Sequence, residues 1–400
     1  MGNRGPPPCR AVAELAVSAA VAIDVSAVPD EPVGAGRYVV ELVRQLGRRH
    51  RIDLALICRR GDGGRWSDLA PGARIVATVP RARWRRMAWE QLLMGRRVPM
   101  LGVDVLHSPH YTMPRMTGGA SVGQVVTVHD MTFFDNPEWH ERVKVPVFRR
   151  AIRVAAARAD AVVCVSETTA RRLRAIHPPA GSLHVIPHGV DHDRFRPDDP
   201  TGQDDTHLAQ LGARPPFIAF LSTIQPRKDV PALVGAFDRL AAERPDLQLI
   251  LAGGKGWGEG PTDDAIAASP HKERILRPGW VSDDAVPALF RRAAAVAYPA
   301  RAEGFGLPAL EALACGAPLV TTAGTVMEEV AGDAAWLFEP GDVDGLTEAL
   351  TDCLDDGPSV AERRRLGLSI AARYTWDAVA AAHEDVYLDL AARTGSRRSG

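Results

Sequence analysis

The chain has 400 residues, of which 46% are hydrophobic and 24% charged, and its formal net charge is −1 at pH 7. This length suits two domains better than one, and the composition is typical of a globular protein with large cores. Its five cysteines form no C-x-x-C pair or Cys/His cluster, which argues against a disulfide framework or a zinc site and favours a reducing, cytosolic compartment.

The first element that the sequence predicts is a buried strand at "VAIDVSAV", 21–28. The overlapping stretch "AVAELAVSAAVAI" resembles a secretory signal peptide, because it is apolar and follows Arg10. However, Glu14 interrupts the apolar run, so the strand is the better interpretation. We therefore predict that residues 1–18 form an extension ahead of the first domain.

Short apolar runs then alternate with helical patterns along the whole chain. The predicted strands of the first half are "IDLALIC", "VDVLHS", "VVTVHD", "AVVCVS" and "LHVIP", and those of the second half are "FIAFLST", "LQLILAGG", "AAVAYPA" and "APLVTT". Helical patterns cover 37–49, 145–159, 230–243 and 343–354. Buried strands that alternate with helices indicate parallel sheets covered on both faces, and the pattern occurs twice.

The predicted fold class is therefore α/β, with two Rossmann-like, doubly wound domains that face each other across a cleft. The boundary falls in "FRPDDPTGQDDTH", 195–207, which is rich in Pro, Asp and Gly. We predict domains at 19–198 and 199–375, followed by an amphipathic helix at 376–393. In such folds ligands bind at the carboxyl ends of the strands, and the cleft between the domains is the expected site.

The stretch 81–97, "RARWRRMAWEQLLMGRR", is strongly basic. Residues 1–200 hold 29 Lys and Arg against 20 Asp and Glu, a net charge of +9, whereas residues 201–400 hold 19 against 29, a net charge of −10. One interpretation of 81–97 is a solvated helix whose tryptophans, Trp84 and Trp89, help to pack the core. The other is a surface for an anionic, lipid-linked ligand.

Chemistry is concentrated in "EGFGLPALE", 303–311, directly after a predicted strand. Glycines let the backbone approach a ligand, and the first N–H groups of the following helix are free to hold an anion such as a phosphate. Glu303 and Glu311 would repel a phosphate but can accept hydrogen bonds from hydroxyl groups. A sugar nucleotide has both, so we predict that Glu303 faces a hexose and Glu311 a ribose, unless they are a capping residue and a solvated residue.

A second stretch, "FLSTIQPRKDV", places Arg227 and Lys228 at the carboxyl end of another strand. Arg and Lys there can neutralise a diphosphate leaving group. Asp229 is expected to cap the next helix.

These two stretches, "PARAEGFGLPALEALACGAPLVTT" and "STIQPRKDVPALVGAF", resemble the retaining glycosyltransferases of family 4. The resemblance covers nearly the whole chain, with "VGAGRYVVELVRQL", "VVTVHDMTFFDNPEWH", "VIPHGVDHDRF" and "VMEEVAGDAAWLFEPGDVDGLTEAL" as further segments. It departs from the family at Asp229, where Asn is common, and at Ala300, where Ser is common.

The resemblance implies the GT-B architecture, with an acceptor domain first and a donor domain second. It implies that Val281 lies beside the base, that His129 lies near the donor sugar, and that Gly34 and Gly36 let their loop close over the phosphates. The residues implied to be catalytic are His129, Arg227, Lys228 and Glu303, and the others implied to bind the donor are Thr223, Gly304, Phe305, Gly306, Leu307 and Glu311.

The activity implied by the resemblance is transfer of a hexose with retention, by front-side attack, without a metal or a cofactor other than the donor. The donor is GDP-mannose or UDP-glucose, with mannosyltransferase-like members as the model. The acceptor is a glycan, a lipid-linked glycan or a small molecule, and no nucleic acid is involved. The expected location is the cytoplasm, with peripheral contact at the inner face of the plasma membrane.

Other functions stay open at this point. A sugar-nucleotide epimerase shares the architecture, a glycoside hydrolase would use Glu303 and Glu311 as a carboxylate pair, and a non-catalytic protein could bind the same sugar nucleotide. A dehydrogenase is disfavoured, because neither "GAGRYV" nor "LILAGGKGWGEG" fits the dinucleotide-binding fingerprint.

Overall fold

The computed structural model describes residues 19–115, 122–355 and 357–398. The predicted extension, residues 1–18, lies outside the described residues. Two parallel sheets organise the chain, and each is covered by helices. The predicted fold class, two Rossmann-like domains, is thereby confirmed.

The first sheet has seven strands in the order β3-β2-β1-β4-β5-β6-β7. Its strands are β1 (Ala19–Asp24), β2 (Ile52–Arg59), β3 (Arg74–Val79), β4 (Val105–Ser108), β5 (Gly123–Val128), β6 (Ala161–Cys164) and β7 (Ser182–Val185). The helices among them are α1 (Ala35–Arg49), α2 (Gly63–Leu69), α3 (Arg83–Trp89), α4 (Gly95–Arg97), α5 (Thr132–Asp135), α6 (Lys144–Arg158) and α7 (Glu167–Ile176).

The second sheet has six strands in the order β10-β9-β8-β11-β12-β13. Its strands are β8 (Phe217–Leu221), β9 (Gln248–Ala252), β10 (Ile275–Gly279), β11 (Ala295–Tyr298), β12 (Leu319–Thr322) and β13 (Ala335–Phe338). The helices are α8 (Asp204–Leu211), α9 (Val230–Glu243), α10 (Gly260–Ala268), α11 (Ala285–Arg292), α12 (Leu307–Ala314), α13 (Val326–Ala331), α14 (Val343–Leu354), α15 (Pro358–Ala371) and α16 (Trp376–Arg398).

All of these pairings are parallel, and the strand order reverses once in each sheet. In the first sheet the reversal lies between β1 and β4, where Val21 pairs with Val105, and in the second between β8 and β11, where Ile218 pairs with Ala295. Loops on either side of such a reversal diverge and leave a crevice at the carboxyl ends of the strands. The loops after β8 and β11 contain the two stretches with predicted site residues, "FLSTIQPRKDV" and "EGFGLPALE".

The last helix, α16, returns from the second domain to pack on α1 and β1 of the first. A buried chain of hydrogen bonds holds it there. The Tyr38 hydroxyl lies 2.8 Å from Nε2 of His383, and the Tyr387 hydroxyl lies 2.7 Å from Nδ1 of His107. The final helix therefore ties the two domains together.

Among the described residues, no helix is long and apolar enough to cross a membrane.

Candidate active site

A cavity of about 370 Å³ lies between the two domains, at the carboxyl ends of both sheets. Its volume is within the range of small-molecule sites in proteins. The first domain contributes the loop before α1 and the residues after β4 and β5. The second contributes the loops after β8, β9, β10 and β11.

The glycine loop between β11 and α12 forms part of the wall between the domains. Gly306 has φ 90° and precedes α12, a left-handed conformation that suits glycine. An added Cβ at Gly304 would stand 2.0 Å from the carbonyl oxygen of His129, so only glycine allows the domains to approach this closely. Pro308 has no N–H and the Ala309 N–H donates to the Gly306 carbonyl at 3.1 Å, so an anion here would be held by the backbone N–H groups that precede Pro308.

Helix α12 ends as the sequence predicts. Gly316, with φ 68°, follows the last turn, its N–H donates to the Leu313 carbonyl, and the Ala317 N–H donates to the Ala312 carbonyl. These two bonds form a Schellman motif, which satisfies carbonyl groups that the helix leaves free.

Arg227 and Lys228 lie on a short 3₁₀ turn, Pro226–Lys228, and both contact the carboxylate of Glu303. Nη1 of Arg227 lies 2.6 Å from Oε2 of Glu303, while Nζ of Lys228 contacts Oε1. The sequence predicted separate roles for the carboxylate and the two cations, but the structure joins them. Loops on the two sides of the strand reversal bring them together, which sequence spacing could not reveal.

Burial and charge act together on this cluster. Burial raises the pKa of the Glu303 carboxyl, but the adjacent Arg227 and Lys228 outweigh it and lower that pKa to about 2. Burial lowers the pKa of the Lys228 ammonium to about 8, although Glu303 opposes the change. Glu303 is therefore ionised at neutral pH, and Lys228 is poised close to its own titration.

Tyr298, at the end of β11, is a member of the same cluster that the sequence did not single out. Its hydroxyl accepts a hydrogen bond from Nζ of Lys228 at 2.5 Å, and it lies 3.3 Å from Oε1 of Glu303. The sequence offered little to identify it as a site residue, since it is a single tyrosine at the end of an otherwise apolar strand. Its position shows that the Lys228 side chain is held in place and is not free on the surface.

Asp229 occupies the position before α9, but its side chain makes no capping hydrogen bond, contrary to the expected role. Its backbone is left-handed, with φ 50°, and its carboxylate accepts a bond of 2.8 Å from Nε of Arg301. Asp and Asn tolerate this conformation better than most residues. The position therefore selects for backbone geometry and not for a cap.

A second charged cluster closes the other end of the cavity. Glu311, on α12, is buried, and its carboxylate lies 3.8 Å from Nη1 of Arg37 in the first domain. Arg37 also donates to Asp283 at 2.7 Å, and Arg194 approaches the same carboxylate at 3.2 Å. Burial raises the pKa of Glu311, and Arg37 opposes that shift.

His129 follows β5 and faces the cavity from the first domain. Its Nε2 lies 2.8 Å from the carbonyl oxygen of Pro109, which can only accept, so Nε2 carries the proton. Burial lowers the pKa of His129, which favours the neutral ring. Nδ1 is therefore a hydrogen-bond acceptor.

The structure brings nearly all of the predicted site residues to this one cavity. Its lining includes His129, Arg227, Lys228, Glu303, Gly34, Thr223, Val281, Gly304, Phe305, Gly306, Leu307 and Glu311. Gly36 does not line it. It is buried at the start of α1, where an added Cβ would stand 3.2 Å from the Pro32 side chain, so its small size serves packing of the loop.

Two family models match the chain, one on each domain. A model described as Glycosyltransferase Family 4 matches residues 32–194, and one described as Glycosyl transferases group 1 matches residues 204–369. Together they span well over half of the sequence. The chain belongs to glycosyltransferase family 4.

Curated relatives of this family 4 glycosyltransferase include mannosyltransferases. O-antigen chain mannosyltransferase B from Escherichia coli is 27% identical over 86% of this chain and 93% of that protein. MMP alpha-(1->4)-mannosyltransferase from Mycolicibacterium hassiacum is 35% identical over 54% of this chain and 50% of that protein. GDP-mannose-dependent alpha-(1-6)-phosphatidylinositol monomannoside mannosyltransferase from Mycolicibacterium smegmatis is 31% identical, over 57% and 60% respectively.

Solved structures share the fold of the glycosyltransferase at low sequence identity. Sucrose-phosphate synthase from Thermosynechococcus elongatus superimposes with a TM-score of 0.75 at 18% identity, covering 94% of this chain and 100% of that one. WaaG, a glycosyltransferase involved in lipopolysaccharide biosynthesis, gives a TM-score of 0.72 at 14% identity, covering 92% and 99%.

The sequence missed several residues that line the cavity of this glycosyltransferase. Arg37 follows Gly36 in "GAGR", Asp130 follows His129, and Trp280 precedes Val281, so each stood next to a residue that the motifs named. Arg194 and Tyr111 also line the cavity. Tyr111 lies outside every motif. It reaches the cavity because it follows β4, which pairs in parallel with β5, so that both strands end at the same edge of the sheet.

Proposed function

We propose that this glycosyltransferase moves a mannosyl residue from GDP-mannose to a hydroxyl of an acceptor, with retention of the anomeric configuration. The observation that carries the proposal is a single cavity that joins two cations, a glycine loop before a helix N-terminus, and two buried carboxylates. Mannosyltransferases recur among the relatives, and one is named as dependent on GDP-mannose. UDP-glucose is the alternative donor.

In this proposal the diphosphate lies between Arg227, Lys228 and the backbone N–H groups of the glycine loop before α12. The ribose hydroxyls donate to Glu311, and the base lies beside Val281. The hexose lies between Glu303 and Nδ1 of His129. Glu303 holds both cations when the cavity is unliganded, so the diphosphate takes over part of their hydrogen bonding on binding.

The chemical step needs charge stabilisation more than a side-chain nucleophile. The acceptor oxygen bonds to the anomeric carbon on the face from which the diphosphate leaves. The bond between that carbon and the phosphate oxygen breaks, its electron pair stays on the diphosphate, and the acceptor proton passes to that oxygen. Arg227 and Lys228 stabilise the developing charge, which is why we propose turnover without a divalent metal.

The primary test is nucleotide binding followed by turnover. Isothermal titration with GDP and UDP identifies the base. Release of GDP from GDP-mannose, with and without EDTA, then tests the donor and the independence from metal. A ligand at a hundred times its Kd stabilises the native state by about 2.7 kcal/mol, so thermal shift gives a second readout. NMR of the product would show an α linkage, and an inverted linkage would refute the front-side step.

The same assay separates the alternatives. A sugar-nucleotide epimerase would return an epimer of the donor, but none of the relatives reported above is an epimerase. A non-catalytic binding protein would bind the nucleotide without turnover. A glycoside hydrolase would have no use for Arg227 and Lys228, which contact the Glu303 carboxylate in the cavity, and it would release free sugar from a glycoside that lacks a nucleoside diphosphate.

We also propose that the basic segment 81–97 brings the protein to an anionic membrane, where a lipid-linked acceptor would be found. Trp89 is buried, but Trp84 is 68% exposed, and Leu92 is 69% exposed. Met100, just beyond the segment, is 84% exposed. Exposed apolar side chains among arginines fit an interface with anionic lipid, where each basic residue contributes about 1 kcal/mol.

Sedimentation with vesicles tests this contact. We expect the protein to bind phosphatidylglycerol vesicles at low salt and phosphatidylcholine vesicles hardly at all. The change Trp84→Ser should weaken binding, whereas Trp280→Ser, another exposed tryptophan on the other domain, should not. Equal and negligible binding to both vesicles would point to a water-soluble acceptor.

A further inference from the structure

The wall of the cavity that belongs to the first domain contains a pair of polar residues with no role in donor binding. Tyr111 follows β4 and Asp130 follows β5, and both line the cavity together with Arg227 and Glu303 of the second domain. The pair is therefore on the side from which an acceptor would reach the donor sugar. The inference drawn from it rests on the proposed transferase function and specifies its acceptor.

The Asp130 carboxylate is held firmly but retains capacity to accept. Its Oδ1 accepts bonds from the Thr132 N–H at 3.0 Å and the Thr132 hydroxyl at 2.6 Å, and its Oδ2 accepts one from the Tyr111 hydroxyl at 3.0 Å. A carboxylate has about four acceptor sites, so one on Oδ2 remains. A fixed carboxylate with a remaining acceptor site in a cavity is suited to bind a hydroxyl group.

Tyr111 orients this carboxylate at a cost in backbone conformation. Its φ is 51°, in the left-handed region that a bulky residue rarely adopts. The conformation sends its hydroxyl back to Asp130, where it also accepts from the Asp130 N–H at 3.1 Å. The ring is packed edge-on against Phe133, Phe148 and His129. Strain of this kind persists where surrounding contacts enforce it, and it is frequent in binding sites.

Asp130 is close to the reacting centre as well as to the cavity wall. Burial lowers the pKa of Arg227, and the carboxylates of Glu303 and, to a smaller extent, Asp130 raise it by more. Asp130 is therefore within Coulombic range of the guanidinium assigned to the leaving phosphate. A hydroxyl bound by Asp130 is next to the place where the donor bond breaks.

We propose that Asp130 binds a hydroxyl of an uncharged, polyhydroxylated acceptor, a sugar ring without phosphate, and that Tyr111 positions Asp130. The acceptor donates one hydroxyl to Oδ2 of Asp130 and presents a neighbouring hydroxyl to the anomeric carbon. That second oxygen forms the new bond, and its proton passes to the departing phosphate oxygen, so Asp130 takes no proton. A phosphate on this ring would be repelled by the carboxylate.

The test uses the full chain and the donor that the wild type hydrolyses. Methyl α-D-mannopyranoside serves as the uncharged acceptor and mannose 6-phosphate as the charged one. We expect only the first to accelerate release of nucleoside diphosphate and to become glycosylated. In Asp130→Asn, kcat/KM for methyl α-mannoside should fall at least about tenfold, the effect of losing a hydrogen bond to a charged group.

The positioning role of Tyr111 has its own readout. Tyr111→Phe should raise KM for methyl α-mannoside while kcat stays within about twofold. In both variants, kcat/KM for methyl α-mannoside should fall by more than the rate of donor hydrolysis by water, and binding of the nucleotide by calorimetry shows that the variants fold. Asp135→Asn is the matched control, because Asp135 pairs with Arg172 outside the cavity.

Several results would overturn the proposal. They are a response to mannose 6-phosphate alone, a response to neither sugar, and wild-type transfer by Asp130→Asn. An equal loss of donor hydrolysis and transfer in Asp130→Asn would also overturn it, since it would make the residue part of the donor site. Failure of the proposed function itself is distinguishable, because the wild type would then release no nucleoside diphosphate from either donor, with or without an acceptor.

Discussion

Replacing Glu90 by glutamine should make the protein more stable at alkaline pH. Glu90 lies within the basic segment, in a π-helical turn at Glu90–Met94, and it is buried. Burial and the nearby Asp24 carboxylate raise its pKa from 4.5 to about 7. Glutamine keeps the shape and an acceptor oxygen for the Gln91 side chain, but it cannot ionise.

The magnitude follows from the change in pKa. Below pH 4.5 Glu90 is protonated in both the native and the unfolded states. Between pH 4.5 and about 7 the unfolded state loses the proton first, so the free energy of unfolding falls as pH rises. The full difference in pKa corresponds to about 3 kcal/mol. The advantage of Glu90→Gln over the wild type should therefore grow by about 2–3 kcal/mol between pH 5 and pH 8.

Urea denaturation, followed by tryptophan fluorescence at pH 5, 6, 7 and 8, measures this difference. Glu348→Gln, a change at an exposed glutamate of α14, is the control. Its free energy of unfolding, plotted against pH, should run parallel to that of the wild type. If the free energy of unfolding of Glu90→Gln also runs parallel to that of the wild type, Glu90 ionises in the native state at little cost. If the stability advantage of Glu90→Gln decreases as pH rises, the pKa of Glu90 is lowered in the native state and not raised.

Three further predictions concern the cleft. Arg227→Ala and Lys228→Ala should each lower kcat about a hundredfold, as expected for loss of one contact to developing charge, with a smaller effect on nucleotide affinity by calorimetry. Near-normal turnover in both would remove them from the chemical step. Glu311→Ala should mainly raise the KM for the donor, whereas Glu303→Ala should lower kcat as well. Steady-state kinetics with the reverse pattern would exchange their roles. Glu329→Gln should shift the domains toward an open arrangement, because the Glu329 carboxylate accepts bonds of 2.7 and 2.9 Å from two N–H groups at the start of α7 across the cleft. Small-angle scattering of the variant without nucleotide should show an increased radius of gyration. Unchanged scattering would refute a role for Glu329 in holding the two domains together.

Much of the fold was predictable because central strands are buried on both faces. Continuous apolar runs such as "FIAFLST" and "AVVCVS" mark them without any knowledge of the partner strands. Three strands were missed, β3, β10 and β13, and all lie at the edges of their sheets. In β3 and β10 the sequences "RIVATV" and "ILRPG" mix charged or proline residues into the run, which weakens the apolar signal. The third, β13, is buried and apolar but has only four residues.

The same contrast holds for the basic segment. Its composition predicted a helical, positively charged surface, but it could not distinguish the two tryptophans. Trp89 is buried and Trp84 is exposed, five residues earlier in the same segment. Both lie in α3, where five residues turn the side-chain direction by about 140°, so only one of the two can face the core.

The sequence by itself determined the α/β class, the doubled domain and the strand ends at which the motif residues lie. These depend on local spacing, since a glycine loop or a cation at the end of a strand lies at the carboxyl edge of whichever sheet forms. Only the tertiary structure decided which charges meet. Glu303 pairs with residues 75 positions away, and Glu311 meets Arg37 across the two domains. Those contacts depend on the strand order and on domain closure, and the pKa values of the site depend on the same contacts because burial and neighbouring charge set them together.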